Sequence, residues 1–331
     1  MKRCLLFGIL ISLVAPNVSA LDHGPNDIYV RVVDVGAGLC CVVALPGDHY
    51  MIYDAGNRDY AMGDITEIIP DRYRIDLMVL SHTDADHLGA VKEICDIYDI
   101  DRIIHSGMHR TSATWAEADT AIRTETIGPN SCRDINLSLV EFPAGATYRF
   151  GEVFVTIVCG FGEPPADWDI TSSGEHNNAG SIVVRLQYRD RAILFCGDAV
   201  GRHDGGPQTQ CIATEKFMVE MSRAIPLKSE VIIAPHHGAD NGSSVAFIEK
   251  VNPEYVILSA GHRYEHPRDF AVQRYLNSGV AGSCIFRTDL GDDEGDRERD
   301  GGRVAGHSDP VGDDDIDIVI RNDGDVVVDY R

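Results

Sequence analysis

The chain is short of positive charge. Among 331 residues, 29 Lys and Arg stand against 52 Asp and Glu, and the formal net charge is -23. Such a surface repels nucleic acid and anionic lipid unless a local basic patch or bound cations intervene, which weighs against a nucleic-acid substrate without excluding one. After residue 20 no run is long and apolar enough to cross a bilayer, so no membrane association is expected of the mature chain. Of 9 cysteines only Cys4 precedes residue 21, and no Cys-x-x-Cys occurs. The remainder permit disulfides in an exported protein, but several lie in apolar strands where a free thiol packs as a small hydrophobe, Cys196 among them. No internal repeat stands out. The Gly- and Asp-rich stretch 288–315 lacks the spacing of an EF-hand loop and is expected to be an acidic, mobile insertion.

What is present supports one folded domain. Hydrophobic residues make up 44% of the chain, enough for a full core. Residues 1–20 read as a secretory signal peptide: Lys2-Arg3, an apolar stretch from Leu5 to Val14, then Val18-Ser19-Ala20 as a small-residue cleavage site. Residues 21–331 are the expected mature domain, periplasmic or secreted.

The most informative stretch is 75–89. Ile75 to Leu80 is short and apolar, as a buried strand should be, and it ends in Ser81-His82-Thr83-Asp84-Ala85-Asp86-His87. Two imidazoles and two carboxylates within six positions can serve two hard or borderline cations such as Zn²⁺, Mn²⁺ or Fe. Residues at the carboxyl end of such a strand lie where ligand sites collect in α/β sheets.

His82-x-Asp84-x-Asp86-His87 resembles the His-x-His-x-Asp-His signature of the metallo-β-lactamase superfamily, with Asp84 in place of the second His. This variant is similar to the soluble hydrolase domain of ComEC-type competence proteins. The opening Asp34-Val35-Gly36-Ala37-Gly38 and Asp54-Ala55-Gly56 match that domain, and the resemblance implies that Asp54 orients ligands rather than binding metal. In the third motif the family normally has a His. Here stand His176-Asn177-Asn178-Ala179-Gly180-Ser181, and which of His176, Asn177 and Asn178 serves the motif stays open. Asn178 is a neutral amide, suited to donating to a phosphate or a developing oxyanion. Gly197-Asp198 matches the carboxylate bridging two metals, and Pro235-His236-His237-Gly238 matches a His-His-Gly element. His236 is expected on the second metal, and His237 beside substrate. His266-Pro267 matches a further element, where His266 would assist the leaving group.

The resemblance implies an α/β fold, a four-layer αββα sandwich with the site at one edge of two sheets. Local patterns agree: strands over 28–34, 39–45 and 50–53; helices over 60–70, 88–98, 113–126, 212–224 and 268–277; strands within 138–158 and over 181–188, 192–196, 230–234 and 255–259; and a closing pair over 316–321 and 326–330. Residues 160–180 read as a loop.

By resemblance, His82 and Asp84 serve one metal, Asp86 and His87 the other with His236, and Asp198 lies between. Candidate catalytic residues are Asp86, His237, His266 and Asn178. The implied activity is a phosphodiesterase or nuclease-like hydrolysis in which a hydroxide shared by two divalent ions attacks. The alternatives are a lactonase or β-lactamase-like hydrolase, and a metal-binding interaction module with little catalysis. The channel of the competence proteins has no counterpart here, so a freestanding exported hydrolase acting on a small-molecule or phosphodiester substrate is expected. Nothing in the sequence indicates an oligomeric state.

Overall fold

In the computed structural model the described residues are 21–127, 132–140, 144–290, 299 and 314–331. The expected signal peptide and most of the 288–315 insertion lie outside them. The first half runs β1 (Ile28–Val32), β2 (Cys40–Leu45), β3 (His49–Ala55), α1 (Met62–Ile68), β4 (Leu77–Leu80), α2 (Ala85–Leu88), α3 (Val91–Ile97), β5 (Arg102–His105), α4 (Ala113–Ile127) and β6 (Arg133–Asn136). The second half runs β7 (Thr147–Phe150), β8 (Val153–Cys159), α5 (Ser173–Ala179), β9 (Val183–Tyr188), β10 (Arg191–Phe195), α6 (Ala213–Met221), β11 (Val231–Ile233), α7 (Val245–Val251), β12 (Tyr255–Leu258), α8 (Asp269–Asn277) and β13 (Ile285–Arg287), then β14 (Ile316–Ile320) and β15 (Val326–Tyr330).

The strands form an 8-stranded sheet, ordered β15-β14-β1-β2-β3-β4-β5-β6, and a 7-stranded sheet, ordered β13-β12-β11-β10-β9-β8-β7. Pairings β3–β4–β5–β6 and β10–β11–β12–β13 are parallel, the others antiparallel. Period-2 alternation explains why β4 is apolar throughout. Leu77 and Val79 enter the core between the sheets, while Met78 and Leu80 face the helical layer. On the second sheet Ile193 and Phe195 face inward, and Leu194 packs outward with Met218, Phe247 and Tyr275 of α6, α7 and α8. Three apolar layers therefore sit between helix, sheet, sheet and helix, the αββα arrangement expected. Truncating one such side chain, as in Leu77→Ala, costs about 2–5 kcal/mol.

Two local expectations are corrected. Residues 160–180 are not wholly loop: Ser172 caps α5 by accepting the Glu175 backbone N–H at 3.1 Å. The helix expected over 88–98 is shorter, α3 over Val91–Ile97, and the short α2 over Ala85–Leu88 precedes it. The Gly89 N–H leaves the helical ladder and donates to the Gly56 carbonyl at 2.7 Å, and a Cβ at Gly89 would lie 1.9 Å from the Arg58 nitrogen. All eight cysteines after residue 20 are free thiols.

Candidate metal centre

The parallel strands point their carboxyl ends at one edge of the sandwich. β3 ends in Asp54, β4 leads to His82, β10 to Asp198, β11 to His236 and His237, and β12 to Ser259. Gly197 allows this convergence. Its φ is +52°, and a Cβ there would lie 2.6 Å from the Ser81 Cβ.

The carboxylate of Asp198 is buried at the centre and its two oxygens face different groups. Oδ2 lies 3.6 Å from His82 Nε2 and 3.6 Å from His236 Nε2. Oδ1 lies 3.2 Å from His87 Nε2 and 3.5 Å from His237 Nε2. Asp84 Oδ2 is 3.5 Å from His82 Nε2, and Asp86 Oδ2 is 4.0 Å from His237 Nε2. Ligand atoms of His82, His87 and Asp198, and of Asp86, His87 and His237, lie within 4.8 Å of one another. His87 belongs to both sets because its Nε2 is also 3.2 Å from His237 Nε2.

Each of the four imidazoles has its other nitrogen tied. His87 Nδ1–H donates to Asp54 Oδ2 at 2.8 Å. The Ser81 hydroxyl donates to the same oxygen at 2.7 Å and accepts from His82 Nδ1–H at 2.9 Å. His236 Nδ1–H donates to Asn241 Oδ1 at 2.6 Å, and His237 Nδ1–H to the Ser259 carbonyl at 2.7 Å. An acceptor on one nitrogen leaves the lone pair of the other aimed inward, the arrangement of metal-binding histidines. His82 Nε2 and Asp198 Oδ1 are buried without a hydrogen bond. Such orphaned atoms are costly in a finished core and suit a divalent cation. The residues fit a metal centre.

Charge follows geometry. Burial alone would raise the Asp198 carboxyl, but the surrounding His87, His236, His237 and His82 hold it well below the usual carboxylate range. Burial opposes charge on His87, yet Asp198 and Asp54 raise it well above the ordinary imidazole value. Burial would raise Asp84 too, but His82 and Arg110 bring it down to about 2. Burial, with His236, His237 and Arg268 nearby, pushes His266 down to about 3, so it is neutral at pH 7.

The structure brings His82, Asp84, Asp86, His87, Asp198, His236, His237 and Asn178 together, and His266 joins them at the cavity wall. His176 is elsewhere, paired with Glu163 at 3.1 Å on the surface. Asn177 is buried and accepts from the Thr83 hydroxyl at 2.7 Å. Asn178 lines the cavity. In the orientation that satisfies both ends of its amide, the nitrogen donates to Asp84 Oδ2 at 3.2 Å and the Gly174 carbonyl at 3.1 Å. The placement of the His pair differs from expectation: His237, not His236, faces His87 and Asp86.

The cavity above the centre has a volume of 720 Å³, and Arg110, Tyr264, Arg268 and Phe270 also line it. Arg110 Nη2 donates to Asp84 Oδ1 at 2.6 Å. No motif singled out Arg110, Asn241 or Ser259. A groove of 750 Å³ lined by Leu137, Leu139, Phe161 and Phe217 is slightly larger, but it shares none of these residues and holds no ligand cluster.

Two sheets flanked by helices, with His and Asp side chains gathered at their edge, define a superfamily. The metallo-beta-lactamase superfamily profile matches residues 33–262, and the chain belongs to that superfamily. Within it the chain is similar to competence proteins. Competence protein ComA of Neisseria gonorrhoeae is 25% identical over 280 residues, covering 80% of this chain and 31% of that protein. ComE operon protein 3 of Bacillus subtilis is 19% identical over 219 residues, covering 65% and 24%. The chain thus spans less than a third of the length of these relatives. Among solved structures, the metallo-beta-lactamase fold protein YhfI from Bacillus subtilis aligns with a TM-score of 0.47 and 11% identity, covering 78% of this chain and 95% of that one.

Proposed function

We propose that the chain is an exported hydrolase that uses two divalent ions, zinc or manganese with iron as a further candidate, to cleave a small phosphodiester. The observation carrying this reading is the Asp198 carboxylate, whose Oδ2 faces one histidine pair and Oδ1 another. When bound, the ions supply Lewis acidity and bring the pKa of a water molecule toward neutrality.

The residues of the chain do the rest. Asp54 holds the tautomers and orientations of His87 directly and of His82 through Ser81. Arg110 and Arg268 place guanidinium groups on the cavity wall of a chain that is otherwise strongly acidic. Their planar donors match phosphate oxygens, and each keeps N–H groups beyond those engaged by Asp84 and Glu265. Neutral His266 can donate one hydrogen bond to a leaving-group oxygen. The cavity size and net charge of -23 favour a small phosphodiester over a long nucleic acid. Export is supported by the Lys2-to-Ala20 pattern. Among the described residues no helix is long and apolar enough to cross a membrane.

The test is turnover by metal-loaded protein of a generic aryl phosphodiester, a lactone and a β-lactam. Phosphodiester turnover is expected, with His87→Ala abolishing nearly all of it and His266→Ala, the loss of one hydrogen-bond donor, lowering it ~10²–10³-fold. Loaded protein active only on lactones or lactams would replace the substrate class. Loaded protein inert on all three would leave a metal-binding module.

A further inference from the structure

We propose that His236 and His237 serve different metal ions. His236 completes the first site with His82 and Asp84, taking the place of the histidine absent from the third motif, and His237 completes the second with Asp86 and His87. This rests on the two-ion reading above and adds which residues close each site.

The Asp198 carboxylate divides the four histidines into two pairs. His236 Nε2 and His82 Nε2 each lie 3.6 Å from Oδ2, while His237 Nε2 and His87 Nε2 lie 3.5 and 3.2 Å from Oδ1. Asn178 stands between His236 and Asp84, with its amide group 3.4 Å from His236 Nε2. Without His236 this side offers Asp84, the shared Asp198 and one imidazole, a thin donor set for a borderline cation. A second imidazole on the same side gives two nitrogens and two carboxylates.

The backbone turns both histidines the same way. Successive side chains on an extended strand point to opposite faces. His236 and His237 instead have φ of 50° and 54°, both left-handed. Left-handed backbone is strained at a non-glycine residue, and such strain persists where the surroundings over-determine it. Here it turns both imidazoles to one carboxylate.

Tethering sets His236 apart from His266. A substrate-facing histidine needs no fixed acceptor on its far nitrogen, and His266 Nδ1 has none. His236 Nδ1 is held by Asn241 at 2.6 Å, as closely as His237 Nδ1 is held by Ser259 at 2.7 Å. His236 is therefore built like a ligand.

The experiment loads the full mature chain with zinc alone, and separately with manganese alone, and counts tightly held ions by calorimetry and elemental analysis. Cobalt(II) absorption reports ligand changes independently of turnover. Wild type should hold about two ions. His236→Ala, Asp84→Ala and their double variant should each keep about one, because they damage the same site. Asp86→Ala/His236→Ala should keep none, because it damages both. His236→Asn, with circular dichroism and melting curves, serves as a second variant if alanine unfolds the chain. Two ions bound unchanged by a folded His236 variant would overturn the assignment. So would a reversed pattern, in which Asp84→Ala/His236→Ala empties the protein while Asp86→Ala/His236→Ala keeps one ion. A folded wild type holding fewer than two ions removes the two-ion reading and the assignment with it, a result separable from both others.

Discussion

Asp54 Oδ2 accepts two hydrogen bonds, from His87 Nδ1 at 2.8 Å and from Ser81 Oγ at 2.7 Å, so one carboxylate sets the orientation of two inward-facing imidazoles. It does this from a left-handed backbone, φ 58°, while Oδ1 accepts the Ser81 N–H at 2.6 Å. Asp54→Asn should therefore lower metal affinity by roughly 10–100-fold while leaving the ligand atoms in place. Competition against a chelator of known affinity measures it. An unchanged affinity would show that Asp54 has no hold on the centre.

Arg110 connects the centre to the cavity. Its Nη2 neutralises Asp84, and the residue lines the cavity a substrate would occupy. Arg110→Gln should raise KM for an anionic phosphodiester about tenfold or more and affect a neutral lactone little, since a charge-assisted bond is worth about 1.5–3 kcal/mol. Equal loss on both substrates would assign Arg110 to holding Asp84 alone.

Asp315, immediately before β14, carries a pH dependence. Burial and the neighbouring Asp64 push its carboxyl up from 3.8 to about 6, against the pull of Arg31. A raised folded-state value means that the folded chain binds this proton more tightly than the unfolded one. The stability contribution is full below about pH 4 and is lost as pH rises through about 6. Asp315→Asn should stabilise the protein at pH 8, on the order of 1–3 kcal/mol, and the gain should shrink toward pH 4. Paired melting curves of both proteins across that range give the sign directly, and a gain that grows on acidification contradicts it.

Export leaves a chemical mark. Cleavage after Ala20 predicts a mature chain beginning at Leu21, readable by intact-mass spectrometry of protein recovered from the periplasm or medium. Recovery of a full-length Met1 chain in the cytoplasm alone would refute it.

The sequence by itself determined most of the elements and the local cluster of His82, Asp84, Asp86 and His87. Apolar runs with period 2 or 3.6 mark strands and helices because burial on one or both faces is a local property, and His82 to His87 sit within one turn after β4 because their spacing is local as well. Only the tertiary structure decided the rest. Arg110 and Asn241 come from loops that no pattern marks, Ser259 stands at the end of the strand expected over 255–259, and all three matter only because the two sheets bring distant strand ends to one edge. α5 escaped notice because its seven residues, Ser-Gly-Glu-His-Asn-Asn-Ala, carry no apolar stripe and depend on the Ser172 cap. The direction in which His236 and His237 point was equally hidden. Left-handed backbone at two adjacent histidines is imposed by surrounding contacts, not by their own preferences, so the sequence shows the pair but not which oxygen of Asp198 each one faces.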